Sequence, residues 1–165
     1  MINNVTKLRE IELELLKDFA RVCEDHGLKW YVFFGTLLGT VRNQGYLPWD
    51  DDIDVVMPKE DYRALCGHPE WFEKGHILQT PLDDGGYYFA HLRKDGTCAF
   101  RKKLEDQLRD GGHMGISIDI IPLEEVPGAD SYMTPTVMGC DKHDKSYPKA
   151  WFEPAETGMF EGMQV

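Results

Sequence analysis

The chain has 165 residues, the length of one compact domain and too short for two sizeable cores. Lysine and arginine total 18 against 29 aspartate and glutamate residues, which gives a formal net charge of −11. This charge argues against nucleic acid or an anionic membrane surface as a partner bound through general electrostatics. With 42% hydrophobic and 28% charged residues, the composition is that of a folded domain rather than a disordered chain.

The start of the sequence has no signal-peptide pattern, and no stretch approaches the roughly 20 apolar residues of a membrane span. The sequence therefore predicts no membrane span and a cytoplasmic location. Its cysteines are widely scattered, which is typical of reduced thiols in such a compartment. Cys140 and His143 have the spacing of half a zinc site, but no second ligand pair lies nearby in the sequence.

The N-terminal segment has the pattern of an amphipathic helix. Apolar residues between Val5 and Val22 recur at steps of three and four, so that they share one helical face. Gly27 is a natural stop for this helix. We therefore expect a helix over residues 5–26.

Short strands and helices alternate in the next part of the chain. Residues 30–34 are aromatic or β-branched and predict a buried strand, after which Gly35 leads into a short helix that ends near Gly45. Residues 53–56 predict a second buried strand. Residues 59–66, KEDYRALC, follow a proline and precede a glycine, which is typical of a bracketed helix.

The remaining sequence favours strands. Four segments have strand character, namely residues 76–80, 87–93, 97–101 and 115–121. The turn sequence Lys94-Asp95-Gly96 predicts a hairpin between the middle two. The last forty residues show little periodicity and are expected to be irregular.

The strongest chemical signal is PWDDDIDVV, residues 48–56, in which four carboxylates fall within five positions between apolar neighbours. Like charges beside a buried strand repel one another and lose hydration, so they persist where a cation compensates them. Because successive strand side chains point to opposite faces, we expect Asp50, Asp52 and Asp54 to share one face. Such oxygen ligands suit Mg²⁺ or Mn²⁺, and with it a substrate phosphate. The alternative, a solvated acidic loop, is disfavoured by the apolar neighbours.

A further carboxylate stands alone in an apolar strand. Asp119 is the single charged residue of GISIDIIPL, residues 115–123. A lone aspartate in such a strand is either part of a structural hydrogen bond or a ligand. Because a carboxylate cluster elsewhere could share its site, we favour a ligand.

Gly35 and Thr36 stand between a predicted strand and a predicted helix. The missing side chain of Gly35 lets a phosphate approach the backbone, and a helix N-terminus offers unpaired N–H groups. The alternative is a simple turn in which Thr36 caps the helix. Arg42, at the far end of that helix, and Arg93, in a later strand, either neutralise a phosphate or pair with a surface acid.

Three segments together resemble the LicD family of the nucleotidyltransferase superfamily, whose relatives include the fukutin-related proteins. Residues 31–62, with FFGTLLGTVRNQGYLPWDDDIDVVMPKEDY, resemble the family's hallmark core. Residues 115–123 are similar to its third-carboxylate strand, and residues 151–162, which include Glu161, resemble a later family segment. The matches follow the family's order, so their joint pattern is more specific than any one motif.

The resemblance implies an α/β (α+β) fold with a nucleotidyltransferase-like mixed β-sheet flanked by helices. It implies one domain over residues 1–165, with a C-terminal part from about residue 124 that is irregular and shorter than in the family. It also implies a metal-dependent transferase, which moves phosphocholine or a polyol phosphate from a CDP-linked donor to a hydroxyl of a cell-surface glycan or glycolipid.

The resemblance implies that Gly35 and Thr36 bind the donor phosphates and that Asp119 is the third carboxylate of the site. The resemblance implies Mg²⁺ or Mn²⁺ as cofactor and in-line phosphoryl transfer, with either Asp119 or Asp50 accepting the proton of the acceptor hydroxyl. The catalytic residues implied are Asp52, Asp54 and Asp119. The predicted metal ligands are Asp50, Asp52, Asp54 and Asp119.

Two other functions compete with this one. The first is a nucleotidyltransferase that transfers NMP from an NTP to a small molecule or protein, which would release pyrophosphate rather than CMP. The second is an inactive relative that binds a nucleotide without turnover.

Overall fold

The computed structural model describes residues 5–81, 89–97, 115–134 and 146–165. Its α-helices are α1 (Val5–His26), α2 (Phe34–Asn43) and α3 (Lys59–Cys66). The longer strands are β2 (Asp54–Pro58), β3 (His76–Gln79), β4 (Ala90–Lys94) and β5 (Ser117–Glu125). The short strands are β1 (Tyr31–Val32), β6 (Ser131–Met133), β7 (Ser146–Pro148), β8 (Met159–Phe160) and β9 (Met163–Gln164).

Most of these strands form one mixed sheet. Its order is β1-β2-β5-β4-β3, and β6 pairs with the end of β5 and with β7. The pairing of β2 with β5 is parallel, whereas the other pairings of this sheet are antiparallel. Strands β8 and β9 form a separate hairpin, the C-terminal hairpin. The architecture is thus the expected α/β fold with a mixed sheet and helices.

The main core lies between α1 and one face of the sheet. Leu15, Leu16 and Phe19 of α1 are fully buried in it, together with the side chains of β2 and β5 that point the same way. A second, smaller cluster covers the opposite face and includes Phe33 and Phe152. Because strand side chains alternate, Asp54 and Asp119 lie on the face opposite α1.

Two of the predicted helices are confirmed with their bounds. Helix α1 covers residues 5–26, and Gly27 follows it with a φ of 66°, a left-handed conformation that glycine adopts without strain. Helix α3 covers residues 59–66 and begins after Pro58. In both segments the local sequence carries the periodicity and the end signals, so distant contacts were not needed to locate them.

The predicted strand over residues 30–34 is wrong at its end. The strand stops at Val32, Phe33 is the N-cap of α2, and Phe34, with a φ of 41°, already belongs to the helix. Thr36 therefore lies inside the first turn and does not cap the helix, which corrects the alternative considered for it.

The predicted hairpin across the Lys94-Asp95-Gly96 turn is also wrong. Both edges of β4 are occupied, one by β3 and the other by β5, so β4 has no free edge for the predicted hairpin partner at residues 97–101. Beyond Thr97 that segment lies outside the described residues, as do Cys140 and His143. The tail that was expected to be irregular contains short strands, namely β6 to β9.

Candidate active site

Three polar side chains lie in a row across three neighbouring strands. Asp54 of β2 is the register partner of Asp119 of β5, and Asp119 is the register partner of His91 of β4. Side chains of register partners share a face of the sheet, so the three are adjacent. The Nδ1 atom of His91 lies 2.8 Å from Oδ1 of Asp119, a hydrogen bond from a buried imidazole that fixes the carboxylate.

Asp54 is in an environment that disfavours its charge. Burial raises the pKa of Asp54 to about 8, and the nearby carboxylates of Asp119, Asp52 and Asp50 add to the increase. Without a compensating cation, Asp54 is therefore protonated over most of the neutral range. Asp119, from a distant part of the chain, thus lies close enough to Asp54 to raise its pKa.

The alternation of strand side chains predicted that Asp50 and Asp52 share a strand face with Asp54, and this prediction is wrong. Strand β2 begins only at Asp54, so both residues lie in the loop that precedes it. Their carboxyl groups nevertheless lie close enough together for Asp50 to influence the charge of Asp52. Loss of hydration, followed by the charges of Asp50 and Asp119, raises the pKa of Asp52. The loop conformation, rather than the alternation of a strand, thus brings the carboxyl groups of Asp50 and Asp52 together.

Gly35 lies against the carboxyl group of Asp50. A Cβ atom at this position would come closer to Oδ2 of Asp50 than real Cβ contacts allow. The missing side chain therefore makes room for an aspartate of this chain. The approach of a phosphate to Gly35, which the sequence predicts, stays a prediction.

Thr36 connects α2 to the first residue of β2. The residue is 2% exposed, and its Oγ1 atom accepts a hydrogen bond of 2.9 Å from the backbone N–H of Asp54. The carbonyl oxygen of Thr36 accepts a bond of 2.8 Å from Oγ1 of Thr40, one turn later in the helix. The threonine thus holds the start of α2 beside Asp54, while its predicted role toward a donor phosphate stays a prediction.

The two predicted phosphate-binding arginines differ in their surroundings. Arg42 is exposed in the last turn of α2, and its separation of six positions from Thr36 corresponds to about 9 Å of helix. Arg93 is buried, its Nε donates to Oε1 of Gln79, and its Nη1 donates to the carbonyl oxygen of Gly115 at 3.0 Å. The structure does not bring Arg42 to the start of α2, and it commits the guanidinium of Arg93 to neighbouring strands. Their predicted roles stay predictions.

Glu12 is a residue of this site that sequence reasoning missed. It lies on α1 with 2% exposure, and its Oε2 atom is 3.0 Å from the hydroxyl of Tyr46. Burial raises the pKa of Glu12 to about 8, and the charges of Asp52, Asp51 and Asp119 contribute to the increase. The one sequence signal was a glutamate on the apolar face of an amphipathic helix, which gives no indication of its partner.

Protonation of Glu12 explains how the hydroxyl of Tyr46 can satisfy two neighbours. That hydroxyl also lies 3.3 Å from the carbonyl oxygen of Arg9, and its single proton can serve one acceptor at a time. When Glu12 is ionised, the Tyr46 hydroxyl donates to Oε2 of Glu12, whereas a protonated Glu12 can donate to the Tyr46 oxygen and leave that hydroxyl for the carbonyl oxygen of Arg9. Burial, with Glu12 beside it, raises the pKa of Tyr46, so this hydroxyl keeps its proton.

The predicted metal ligands suit a divalent cation by their chemistry. Asp50, Asp52, Asp54 and Asp119 offer hard oxygen ligands, and their mutual repulsion is of the kind that a bound cation relieves. Within the described ranges, no three His, Cys, Asp or Glu side chains already stand in the arrangement of a formed metal site. A cation would therefore have to draw these carboxylates together.

A family model and a named relative indicate the same family. A family model described as LicD/FKTN/FKRP, nucleotidyltransferase domain, matches residues 27–165. The chain is 29% identical over 126 residues to the lipopolysaccharide cholinephosphotransferase LicD of Haemophilus influenzae, covering 74% of this chain and 45% of that protein. It is 42% identical over 123 residues to an uncharacterised protein of Rickettsia prowazekii, covering 68% and 44%.

A yeast protein matches over a shorter segment. The chain is 27% identical over 92 residues to mannosyltransferase regulator 4 of Saccharomyces cerevisiae, covering 56% of this chain and 8% of that protein. The chain thus spans less than half the length of each of these three curated relatives. Among the described residues, no helix combines the length and the apolar character needed to cross a membrane.

Proposed function

Since the chain belongs to the LicD family of nucleotidyltransferase-domain proteins, we propose that it transfers a phosphorylated alcohol from a CDP-linked donor to a hydroxyl of a cell-surface glycan. The alcohol phosphate is phosphocholine or a polyol phosphate. The named relative from Haemophilus influenzae, a lipopolysaccharide cholinephosphotransferase, supports this reaction class. The observation that carries the proposal is the pairing of Asp54 with Asp119 in a family whose resemblance implies both as site carboxylates.

Asp50, Asp52, Asp54 and Asp119 would hold a magnesium or manganese ion. When bound, the ion supplies positive charge for the donor diphosphate and for the leaving CMP. The start of α2 would bind the donor phosphates through the backbone N–H groups of its first turn, at Gly35 and Thr36. The side chain of Thr36 would hold the start of α2 beside Asp54, because its Oγ1 accepts a hydrogen bond from the backbone N–H of Asp54.

The acceptor hydroxyl must lose a proton during transfer, and two carboxylates are candidates to accept it. The carboxyl group of Asp50 lies beside that of Asp52, whose pKa it raises. Asp119 is held by the imidazole of His91, which fixes one carboxylate oxygen and orients the other. This difference favours Asp119 as the general base, with His91 as the residue that positions it.

A ligand screen tests the proposal directly. Thermal unfolding is measured with CDP-choline, a CDP-polyol and each NTP, with and without Mg²⁺, because a ligand that binds only the native state raises the melting temperature. Release of CMP from the CDP-alcohol, in the presence of a glycan acceptor, supports the proposal. Release of pyrophosphate from an NTP would show the competing nucleotidyltransferase activity, and binding without either product would show an inactive relative.

Asp52→Asn is the matched variant. It keeps the size of the side chain, so we expect a folded protein that releases no CMP, because one carboxylate of the proposed metal site is lost. Full activity of this variant at saturating Mg²⁺ would contradict the assignment. A cytoplasmic location belongs to the same proposal.

A further inference from the structure

Residues 47–52, called the acidic loop below, carry two of the proposed ligands, Asp50 and Asp52. We propose that Arg9 and Tyr46 are positioning residues that fix the acidic loop beside Asp54. The inference rests on the function proposed above, since it explains how two of that site's carboxylates are held. Its anchors come from parts of the chain far from the loop, namely α1 and the C-terminal hairpin.

Arg9 of α1 holds the backbone of the acidic loop at two points. Its Nη2 atom donates to the carbonyl oxygen of Leu47 at 2.8 Å, and its Nε atom donates to the carbonyl oxygen of Asp50 at 3.2 Å, which Nη2 also reaches. Between these two carbonyls the loop closes a turn, in which the N–H of Asp50 donates to Leu47 at 3.1 Å. One rigid guanidinium thus fixes both ends of this turn.

Tyr46 keeps that guanidinium in place. The Arg9 guanidinium carbon lies 4.6 Å from the centre of the Tyr46 ring, which is within the range of a cation–π contact. The hydroxyl of the same tyrosine reaches Glu12 and the carbonyl oxygen of Arg9, as described above. The ring itself packs on Phe160 of the C-terminal hairpin at 4.9 Å between centroids.

The C-terminal hairpin holds Tyr46 from the other side. Oε1 of Glu161 accepts the backbone N–H of Tyr46 at 3.1 Å, and the N–H of Glu161 donates to the carbonyl oxygen of Gln44 at 2.9 Å. Gly45 packs so closely on this carboxylate that a Cβ atom there would overlap it. Glu161, which the sequence resemblance singled out, therefore anchors the segment that leads into the acidic loop.

These anchors bear on the proposed ligands through the backbone of Asp50. Its carbonyl oxygen is bound by Arg9, while its carboxyl group contacts Gly35 and lies close enough to Asp52 to raise the pKa of that residue. A shift of this backbone would therefore move two carboxylates at once. By contrast Arg21, on the same helix, donates to the carbonyl oxygen of Trp71 at 3.0 Å and has no such link to the site.

The test compares Arg9→Lys and Tyr46→Phe with Arg21→Lys as the matched control. Arg9→Lys keeps the charge but loses the two-pronged donor, and Tyr46→Phe keeps the ring but loses the hydroxyl. Amide hydrogen exchange over residues 44–52 is measured without metal, and Mn²⁺ affinity is measured by calorimetry. For Arg9→Lys we expect at least tenfold faster exchange in this segment and Mn²⁺ binding weakened 10–100-fold, the usual cost of losing a group that supports metal ligands. Tyr46→Phe should show smaller changes in the same direction. Arg21→Lys should change neither the hydrogen exchange of this segment nor the Mn²⁺ affinity.

The two readouts separate this inference from the proposed function. Wild-type exchange and wild-type Mn²⁺ affinity in both Arg9→Lys and Tyr46→Phe would overturn the inference. If the wild-type protein bound neither Mn²⁺ nor any CDP-alcohol, the proposed function would be wrong, and hydrogen exchange alone would still decide whether Arg9 and Tyr46 order the loop. If Arg9→Lys does not fold, Tyr46→Phe gives the same decision.

Discussion

Asp54 and Asp119 are register partners on the parallel strands β2 and β5, with their side chains on the same face of the sheet. Like charges in adjacent positions of neighbouring strands are destabilising, and burial of Asp54 adds to the cost. The protein reduces this cost by keeping Asp54 protonated and by giving Asp119 a hydrogen bond from His91. A pair of this kind is expected where a cation or a reacting group uses it.

Asp54→Asn should stabilise the protein without metal. Because the pKa of Asp54 is about 8 in the folded protein and near 3.8 in the unfolded chain, the folded state holds one more proton between these values. The free energy of unfolding therefore falls as pH rises through this range, by up to about 1.4 kcal/mol per pH unit. An asparagine does not titrate, so at pH 8 the variant should have the higher melting temperature. Asp25→Asn, at an exposed ion pair with Arg21, is the control and should show no such gain.

The same variant should lose its response to metal. At pH 8, Mn²⁺ should raise the melting temperature of the wild type more than that of Asp54→Asn, because the proposed site has lost one anionic ligand. An equal rise of the melting temperature in both proteins would show that Mn²⁺ binds at another site.

Gly35→Ala should impair activity with little effect on stability. Gly35 has ordinary helical geometry, and alanine favours a helix by about 0.5–1 kcal/mol, so the backbone tolerates the change. The added Cβ, however, overlaps the carboxyl group of Asp50 and must displace it. A displacement of about 1 Å at a reacting centre can cost roughly 100-fold in rate.

A second glycine provides the control for this prediction. Gly67 follows α3 with a φ of −76°, and a Cβ there would meet nothing closer than 3.5 Å. We expect Gly67→Ala to keep full activity in the CMP-release assay. If Gly35→Ala were as active as Gly67→Ala, the contact between Gly35 and Asp50 would have no role in the reaction.

The local parts of the fold could be predicted from the sequence, whereas the pairing of strands could not. Helix α1 was predicted correctly because its apolar spacing and its terminal Gly27 are local signals. The register partners of β4 lie 12 to 30 residues away in sequence, from Gln79, which pairs with His91, to Ile120, which pairs with Ala90. The local turn sequence therefore predicted a hairpin that long-range pairing overrides.

In the candidate site, too, the individual residues could be predicted from the sequence but their pairing across strands could not. The sequence predicts Asp54 and Asp119 as site residues, but their shared register follows from the parallel pairing of two strands that the sequence does not reveal. His91 is one polar residue of a predicted strand, and its role depends on that same register. Glu12 was missed because its partner Tyr46 lies 34 residues away.

Thr36→Val should destabilise the protein and disturb the site together. Valine has nearly the same shape as threonine, but it cannot accept the N–H of Asp54, which then loses its partner beside a buried side chain. Such a loss costs about 1–3 kcal/mol, which urea unfolding should detect. Thr36→Ser keeps the oxygen and is the matched variant. Equal stability of Thr36→Val and the wild type would show that the hydroxyl does not hold α2 to β2.

Glu12→Gln should show a stability gain that depends on pH. Burial raises the pKa of Glu12 to about 8 in the folded protein, whereas its ordinary value is 4.5, so the folded state holds an extra proton between these values. The free energy of unfolding of the wild type then decreases as pH rises from about 5 to 8, by up to about 1.4 kcal/mol per unit. Glutamine does not titrate, and its amide can donate to the Tyr46 oxygen as the protonated acid does.

Urea unfolding at pH 5 and pH 8 checks this prediction. The difference between Glu12→Gln and the wild type should be small at pH 5 and should favour the variant at pH 8. Glu10→Gln, at an exposed ion pair with Lys7, is the control on the same helix and should differ little from the wild type at either pH. If Glu12→Gln differed from the wild type by the same amount at both pH values, Glu12 would not exchange a proton between them, and the shared hydrogen bonds of Glu12, Tyr46 and Arg9 would need another arrangement.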